Sequence, residues 1–378
     1  MEKDREPRSG LAIRTIRMVS GMLLLLFVTT HLLNLSLGVV SLAAMDAVRP
    51  YLSVLWGPPV MGPLLLAALV SHYFLGLWAI YRRPVLNTGV QDLVQLFSGV
   101  IVVPLLATHV VGVASLKINE IPFDYAAAIR FFWVHQPAIG LQQVVLLSVV
   151  WIHGCAGLFT WMRAKENLRG MLGWIYPVAV AVPVLALLGF AEAGRGVLSG
   201  ATAATAGLAP PPPPTHGTPP VLSREAVYSI TTAIIWGSIA LALLTFAARA
   251  LRIRLQPWQT VRLHRSGAPV IATRSTLSIL DSFRQHDQPH ASLCEGRGRC
   301  GTCAVRVVMA EFPLPEPTAL EQKPLRRIEA PADARLACQV MPQGGYLEVA
   351  PLYPAEYSFH DEDYADDAPP TDQTGATA

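Results

Sequence analysis

Six stretches of this chain stay apolar for about the twenty residues that a bilayer crossing requires. They run roughly over 18–43, 60–81, 93–116, 138–162, 172–192 and 226–248, with the charged residues gathered in the gaps between them. From about residue 256 the pattern changes to short alternating runs. "TVRLH" and "VIATR" flank the turn "RSGAP" and predict a β-hairpin. "STLSILDSFRQHD" predicts a helix capped by Ser275 or Thr276. A cysteine-bearing loop follows, then a strand "AVRVVMA", a short helix near "ALEQKPLRRI" and a closing strand "YLEVAPLY". The organisation expected is a tail over 1–17, a membrane domain over 18–253 and a small polar domain over 254–356. An acidic segment over 357–378 has the composition of disorder. A Pro-rich stretch, 199–222, reads as a stiff connector between the fifth and sixth spans. No internal repeat stands out.

Composition agrees with that division. Of 378 residues 52% are hydrophobic and 15% charged, with mean hydropathy +0.41, as in an integral membrane protein with a soluble appendage. The first apolar run is too long for the core of a signal peptide and reads as a span. Lys and Arg number thirteen on the N-terminal side of the spans against five on the other. This bias places the N-terminus and everything after the sixth span in the cytoplasm, in a multi-pass protein of a bacterial inner membrane. The chain contains no dinucleotide glycine fingerprint, P-loop or nucleophile triad, so hydride, phosphoryl and acyl chemistry are not expected, nor is a nucleic-acid partner.

Two sets of residues carry candidate chemistry. Cys294, Cys300, Cys303 and Cys338 are spaced C-x5-C-x2-C-x34-C, three of them on a loop with Gly296, Gly298 and Gly301. Such a loop can curl its amides toward thiolates that hold an iron–sulfur cluster. Tetrahedral zinc is the competing use of four thiolates, although zinc sites usually show two paired knuckles and here Cys338 stands alone. This segment, about 257–353, resembles [2Fe–2S] ferredoxins of β-grasp fold, with the five-residue first gap of the adrenodoxin-like branch. The fold expected is therefore a six-helix transmembrane bundle followed by a small α+β ferredoxin domain.

The second set is His31, His72, His109 and His153, one in each of the first four spans. An intramembrane histidine is a functional hypothesis by default, its plain alternative being a hydrogen bond to a neighbouring helix. Helical rise puts His31 roughly 21 Å beyond Arg17 and His109 roughly 25 Å beyond Asp92. His72 and His153 each lie roughly 15 Å from an arginine at the cytoplasmic end of their spans. His31 and His109 thus share an outer level and His72 and His153 an inner one, where each pair could supply both axial ligands of a b-type haem. Gly76, Gly112 and Gly157 follow a histidine by three or four positions, leaving room for a porphyrin or for ordinary helix packing. Arg14, Arg17 and Arg163 could pair with inner propionates, or simply satisfy the charge bias. His135, in an outer loop, could border a quinone; Cys155 reads as packing.

One histidine on each of four helices resembles the dihaem membrane anchor of succinate dehydrogenases and fumarate reductases. Closer still is the membrane module of bacterial cyclic-nucleotide cyclases, in which such an anchor precedes a ferredoxin domain. The residues are "RMVSGMLLLLFVTTHLLNLSLGVVSL", "HVVG", "WIHGCAGLFTWMR" and "VPVLALLGFAEAGR", joined to "CEGRGRCGTC" and "RLACQ". The resemblance implies two b haems, a [2Fe–2S] cluster, quinone as redox partner, and redox sensing for a cyclase or another cytoplasmic partner, with a homodimer as one arrangement. No cyclase domain follows in this sequence, so it reads as a sensor fragment or as a module whose output belongs to a partner. The alternative function is a quinone-reactive anchor subunit that feeds a soluble oxidoreductase.

Overall fold

A computed structural model of the chain describes residues 5–57, 59–86, 90–122, 124–163, 165, 168, 170–200 and 220–357, with side chains from residue 12 onward. Most of the Pro-rich connector and nearly all of the acidic segment lie outside the described residues. The chain divides into two units, Met1–Leu255 and Gln256–Ala378.

In the first unit the apolar runs form helices α1 (Arg5–Ser36), α3 (Met61–Arg82), α4 (Val90–Ile118), α6 (Pro137–Arg163), α7 (Leu172–Leu198) and α8 (Arg224–Leu255). All six are long and apolar enough to cross a membrane, as a multi-pass protein requires. Two shorter helices, α2 (Leu42–Trp56) and α5 (Tyr125–Arg130), sit between spans, and a π turn over Phe131–His135 joins α5 to α6. The first span differs from expectation at both ends. Helix already runs from Arg5, through what the pattern left as a tail. It stops at Ser36, not 43, because Ser41 starts α2 by accepting a hydrogen bond from the Ala44 amide at 3.0 Å.

Small residues let the helices approach closely. A Cβ added at Gly38 would lie 2.5 Å from the Gly189 carbonyl oxygen, and one at Gly189 would lie 2.2 Å from that of Leu35. Here α1 meets α7 backbone to backbone, the usual reason for small residues between membrane helices. Polar ties add direction: Trp151 Nε1 donates to the Ala179 carbonyl at 2.7 Å and Tyr73 Oη to that of Ser238 at 3.1 Å. Arg83 grips the buried Asp92 carboxylate with two guanidinium nitrogens, and Arg249 on α8 donates to the carbonyls of Arg83 and Pro84.

The second unit is a five-stranded sheet in the order β2-β1-β5-β3-β4. The strands are β1 (Thr260–Arg265), β2 (Ile271–Arg274), β3 (Ala304–Ala310), β4 (Ala334–Leu336) and β5 (Gly345–Pro351). β1 pairs parallel with β5, and the other pairings are antiparallel. Helix α9 (Ile279–Gln285) inserts Ile279, Leu280 and Phe283 into a core shared with Val261, Leu263, Val305 and Val349. Its cap is Ser278, whose Oγ accepts from the Asp281 amide, instead of Ser275 or Thr276: those two lie in the turn that leaves β2. Helix α10 (Ala319–Arg327) lies where the pattern put a short helix.

Candidate functional site

The cysteine loop bends through Glu295, Gly296, Gly298 and Gly301, all at positive φ. At Gly301 the need for glycine is double, since a Cβ would also meet Ile328 Cγ2 at 2.9 Å. Arg327 of α10 ties the loop down by donating to the carbonyls of Arg299 (3.0 Å) and Cys300 (2.7 Å). Thr302 braces it from within, accepting the Leu293 amide at 3.1 Å and lying 3.1 Å from Cys300 Sγ. Cys338 is brought up by β4, with its sulfur 3.3 Å from Cys303 Sγ and also 3.3 Å from Gln339 Nε2. Cys303 and Cys338 thus meet as one pair, and Cys294 and Cys300 as another.

The cradle treats its thiols unequally. Cys294 is pushed well below the ordinary thiol value, because the Cys300 thiol and the amides of Cys300, Arg299 and Arg297 donate to it and outweigh burial. Cys300 and Cys303 are pushed up, each keeping a proton that its neighbour, Cys294 or Cys338, accepts, with burial adding to the effect. Among the described residues no three His, Cys, Asp or Glu side chains close on a single ion. The sulfurs associate as two pairs, the donor arrangement for a two-iron cluster and a poor one for a single tetrahedral zinc.

The histidines also form two pairs. His31 and His109 have ring centroids 6.0 Å apart at an interplanar angle of 69°, and His72 and His153 lie 6.1 Å apart at 84°. Nδ1 of His72 is 3.0 Å from the Arg17 carbonyl oxygen and 3.2 Å from Ser20 Oγ. Nδ1 of His153 is 3.1 Å from both the Gln95 carbonyl oxygen and Ser98 Oγ. A carbonyl only accepts, so Nδ1 carries the proton in both rings and the Nε2 lone pair is left for another partner. His109 Nδ1 donates to Gln143 Oε1 at 3.0 Å, with the same consequence. His31 stacks on Phe27 at 5.9 Å, and Phe27 packs edge-on to Trp56.

These contacts expose a repeat that inspection of the chain missed. Arg17-x2-Ser20-Gly21-x8-Thr30-His31 on α1 matches Gln95-x2-Ser98-Gly99-x8-Thr108-His109 on α4. His72-x3-Gly76-Leu77-Trp78-x3-Arg82 on α3 matches His153-x3-Gly157-Leu158-Phe159-x3-Arg163 on α6. Arg82 lies over Trp78 at 5.9 Å as Arg163 lies over Phe159 at 5.5 Å. Each ring pair takes one histidine from each half of the repeat. The repeat is hard to see because its marks are a few positions among interchangeable apolar residues, and the two units differ in loop length.

The remaining candidates fall in different places. Arg14 and Arg17 are half-buried near the start of α1. Gly76 and Gly112 border open space, where an added Cβ meets nothing within 4 Å, while one at Gly157 would meet Gln95 Nε2 at 2.9 Å. Cys155 packs beside the cluster of Leu147, Trp151 and Val182, and His135 is exposed at the end of the π turn. Ser20, Ser98 and Gln143, absent from the sequence reading, emerge as the partners of the imidazoles.

Residues 264–343 match the family described as the 2Fe-2S iron-sulfur cluster binding domain, and no solved structure matches the chain. With the mixed sheet and the six apolar helices, that match defines a class: a membrane-spanning chain that carries an iron–sulfur electron-transfer domain after its apolar helices. The cofactor of that domain is a [2Fe–2S] cluster.

Proposed function

We propose that the chain is a redox protein of the bacterial inner membrane. Its cluster is held by Cys294, Cys300, Cys303 and Cys338, and two b-type haems by His31 with His109 and His72 with His153. It exchanges electrons with the quinone pool and reports redox state to a cytoplasmic partner, a cyclase or an oxidoreductase. Bound haem and cluster supply one-electron chemistry; the chain supplies ligands, orientation and insulation from water.

The observation that carries the haem reading is the ring spacing. Two imidazoles on opposite sides of one metal, with bonds of about 2.0–2.1 Å, have centroids roughly 6 Å apart. Both pairs meet that value, and the protons fixed on Nδ1 of His72, His153 and His109 leave Nε2 as the ligand atom. Gly76 and Gly112 leave room beside the rings. Arg14, Arg17 and Arg163 are the propionate partners proposed for the inner haem, Arg163 from its place over Phe159. For the quinone pool the support is a place for its reduced quinol form, whose hydroxyl donates, at Asn34, one turn past His31. It is 2% exposed and donates to Tyr125 Oη at 2.7 Å, while its Oδ1 has no hydrogen-bond partner among the described residues.

A dithionite-reduced-minus-oxidised spectrum of the purified protein, with iron and haem counts, tests the proposal. Two b haems and two non-haem irons per chain are expected. His72→Ala and His153→Ala should remove one and the same haem, and His31→Ala and His109→Ala the other. Pale, zinc-bearing protein would overturn the reading.

A further inference from the structure

Resting on the haem reading above, we propose that Ser20–Gly21 and Ser98–Gly99 are twin seats, positioning residues that orient the inner pair of imidazoles from opposite units of the repeat. Each seat comprises the same three elements in the same order: a carbonyl (Arg17 or Gln95), a serine three residues on, and a glycine directly after it. Both Nδ1 atoms lie between carbonyl and serine oxygens at 3.0–3.2 Å. Both rings lie flush on the glycine: a Cβ would stand 2.7 Å from His72 Cε1 at Gly21 and 2.8 Å from His153 Cε1 at Gly99. No rotamer of an added methyl avoids that contact, since a Cβ has none.

The serines have the proton balance to accept. Ser20 Oγ–H donates to the Arg17 carbonyl at 3.1 Å and Ser98 Oγ–H to the Val94 carbonyl at 2.5 Å, so each oxygen retains a lone pair for Nδ1–H. An imidazole whose Nδ1–H has two acceptors is a stronger donor through Nε2, and such partners orient and tune a ligand to metal. Stronger donation favours the oxidised metal. The other pair is built differently, on Gln143 and on the Phe27 ring, and lacks this seat. The two tiers are therefore held by unlike means, and only the inner tier responds to the serines.

The test is a potentiometric titration of the full-length protein in detergent or nanodiscs, followed in the haem bands. Ser20→Ala and Ser98→Ala should each retain two haems and raise the midpoint of a single haem, the one lost in His72→Ala and His153→Ala. The double variant should raise it further, and Ser20→Thr, which restores the oxygen, should return it toward wild type. Gly21→Ala and Gly99→Ala should each lose that haem and keep the other. Unmoved midpoints in both serine variants, or equal movement of both haems, would overturn the proposal while leaving the haem reading intact. A wild-type protein without a Soret band would instead overturn the haem reading itself.

Discussion

At Glu321 a carboxylate that is 1% exposed takes two hydrogen bonds from Arg335, at 2.8 and 3.0 Å, and a third from the Leu336 amide at 2.8 Å. The pair fastens α10 to β4, two residues before Cys338. Removing one partner of a buried pair strands the other, so Glu321→Ala should cost about 3–5 kcal/mol of stability in this domain, read by denaturant unfolding. For the cluster, Cys300→Ser should abolish the rhombic EPR signal of the reduced protein and leave the haem bands in place. The cysteines were legible because thiol spacing on a Gly-rich loop is a local property. The histidines were legible because ionisable groups are rare inside lipid. Ser20 and Ser98 were not, for serines within helices commonly bond carbonyls of their own turn, as both also do here. Only the neighbouring helix reveals the second partner.

Six long helices could be read from the run of apolar residues alone, since any crossing must satisfy its backbone internally. Their ends were less legible. The first span extends too far at its C-terminal end in the sequence pattern because α2 continues the apolar composition past a cap, and composition cannot distinguish one bent helix from two. In the ferredoxin-type domain the alternation of "TVRLH" and "AVRVVMA" was sufficient for two strands, whereas β4 has three residues, all buried, and no period to detect. Packing between elements yields a sharper test. A side chain at Gly189 would strike the Leu35 carbonyl, which belongs to a helix backbone and cannot swing aside. Gly189→Val should force α1 and α7 apart and lower the midpoint of thermal aggregation in detergent, whereas Gly237→Ala, which meets nothing within 4 Å, should not.

For the molecule as a whole, six crossings return the chain to the side from which it started. We propose that this side, which carries the excess of Lys and Arg, is the cytoplasmic one. Reporter fusions at either terminus should therefore give the cytoplasmic signal, and fusions after Lys117 or Arg195 the opposite one; discordant termini would require a different number of crossings. That proposed side is also where thiols stay reduced and able to take up iron. The repeat adds a constraint of its own. Since every imidazole couple draws one member from each half of the repeat, neither half owns a complete grip on the metal proposed there. The bundle is in effect a pair of half-clasps joined by a tether, so whatever they fasten around also certifies that both halves have arrived.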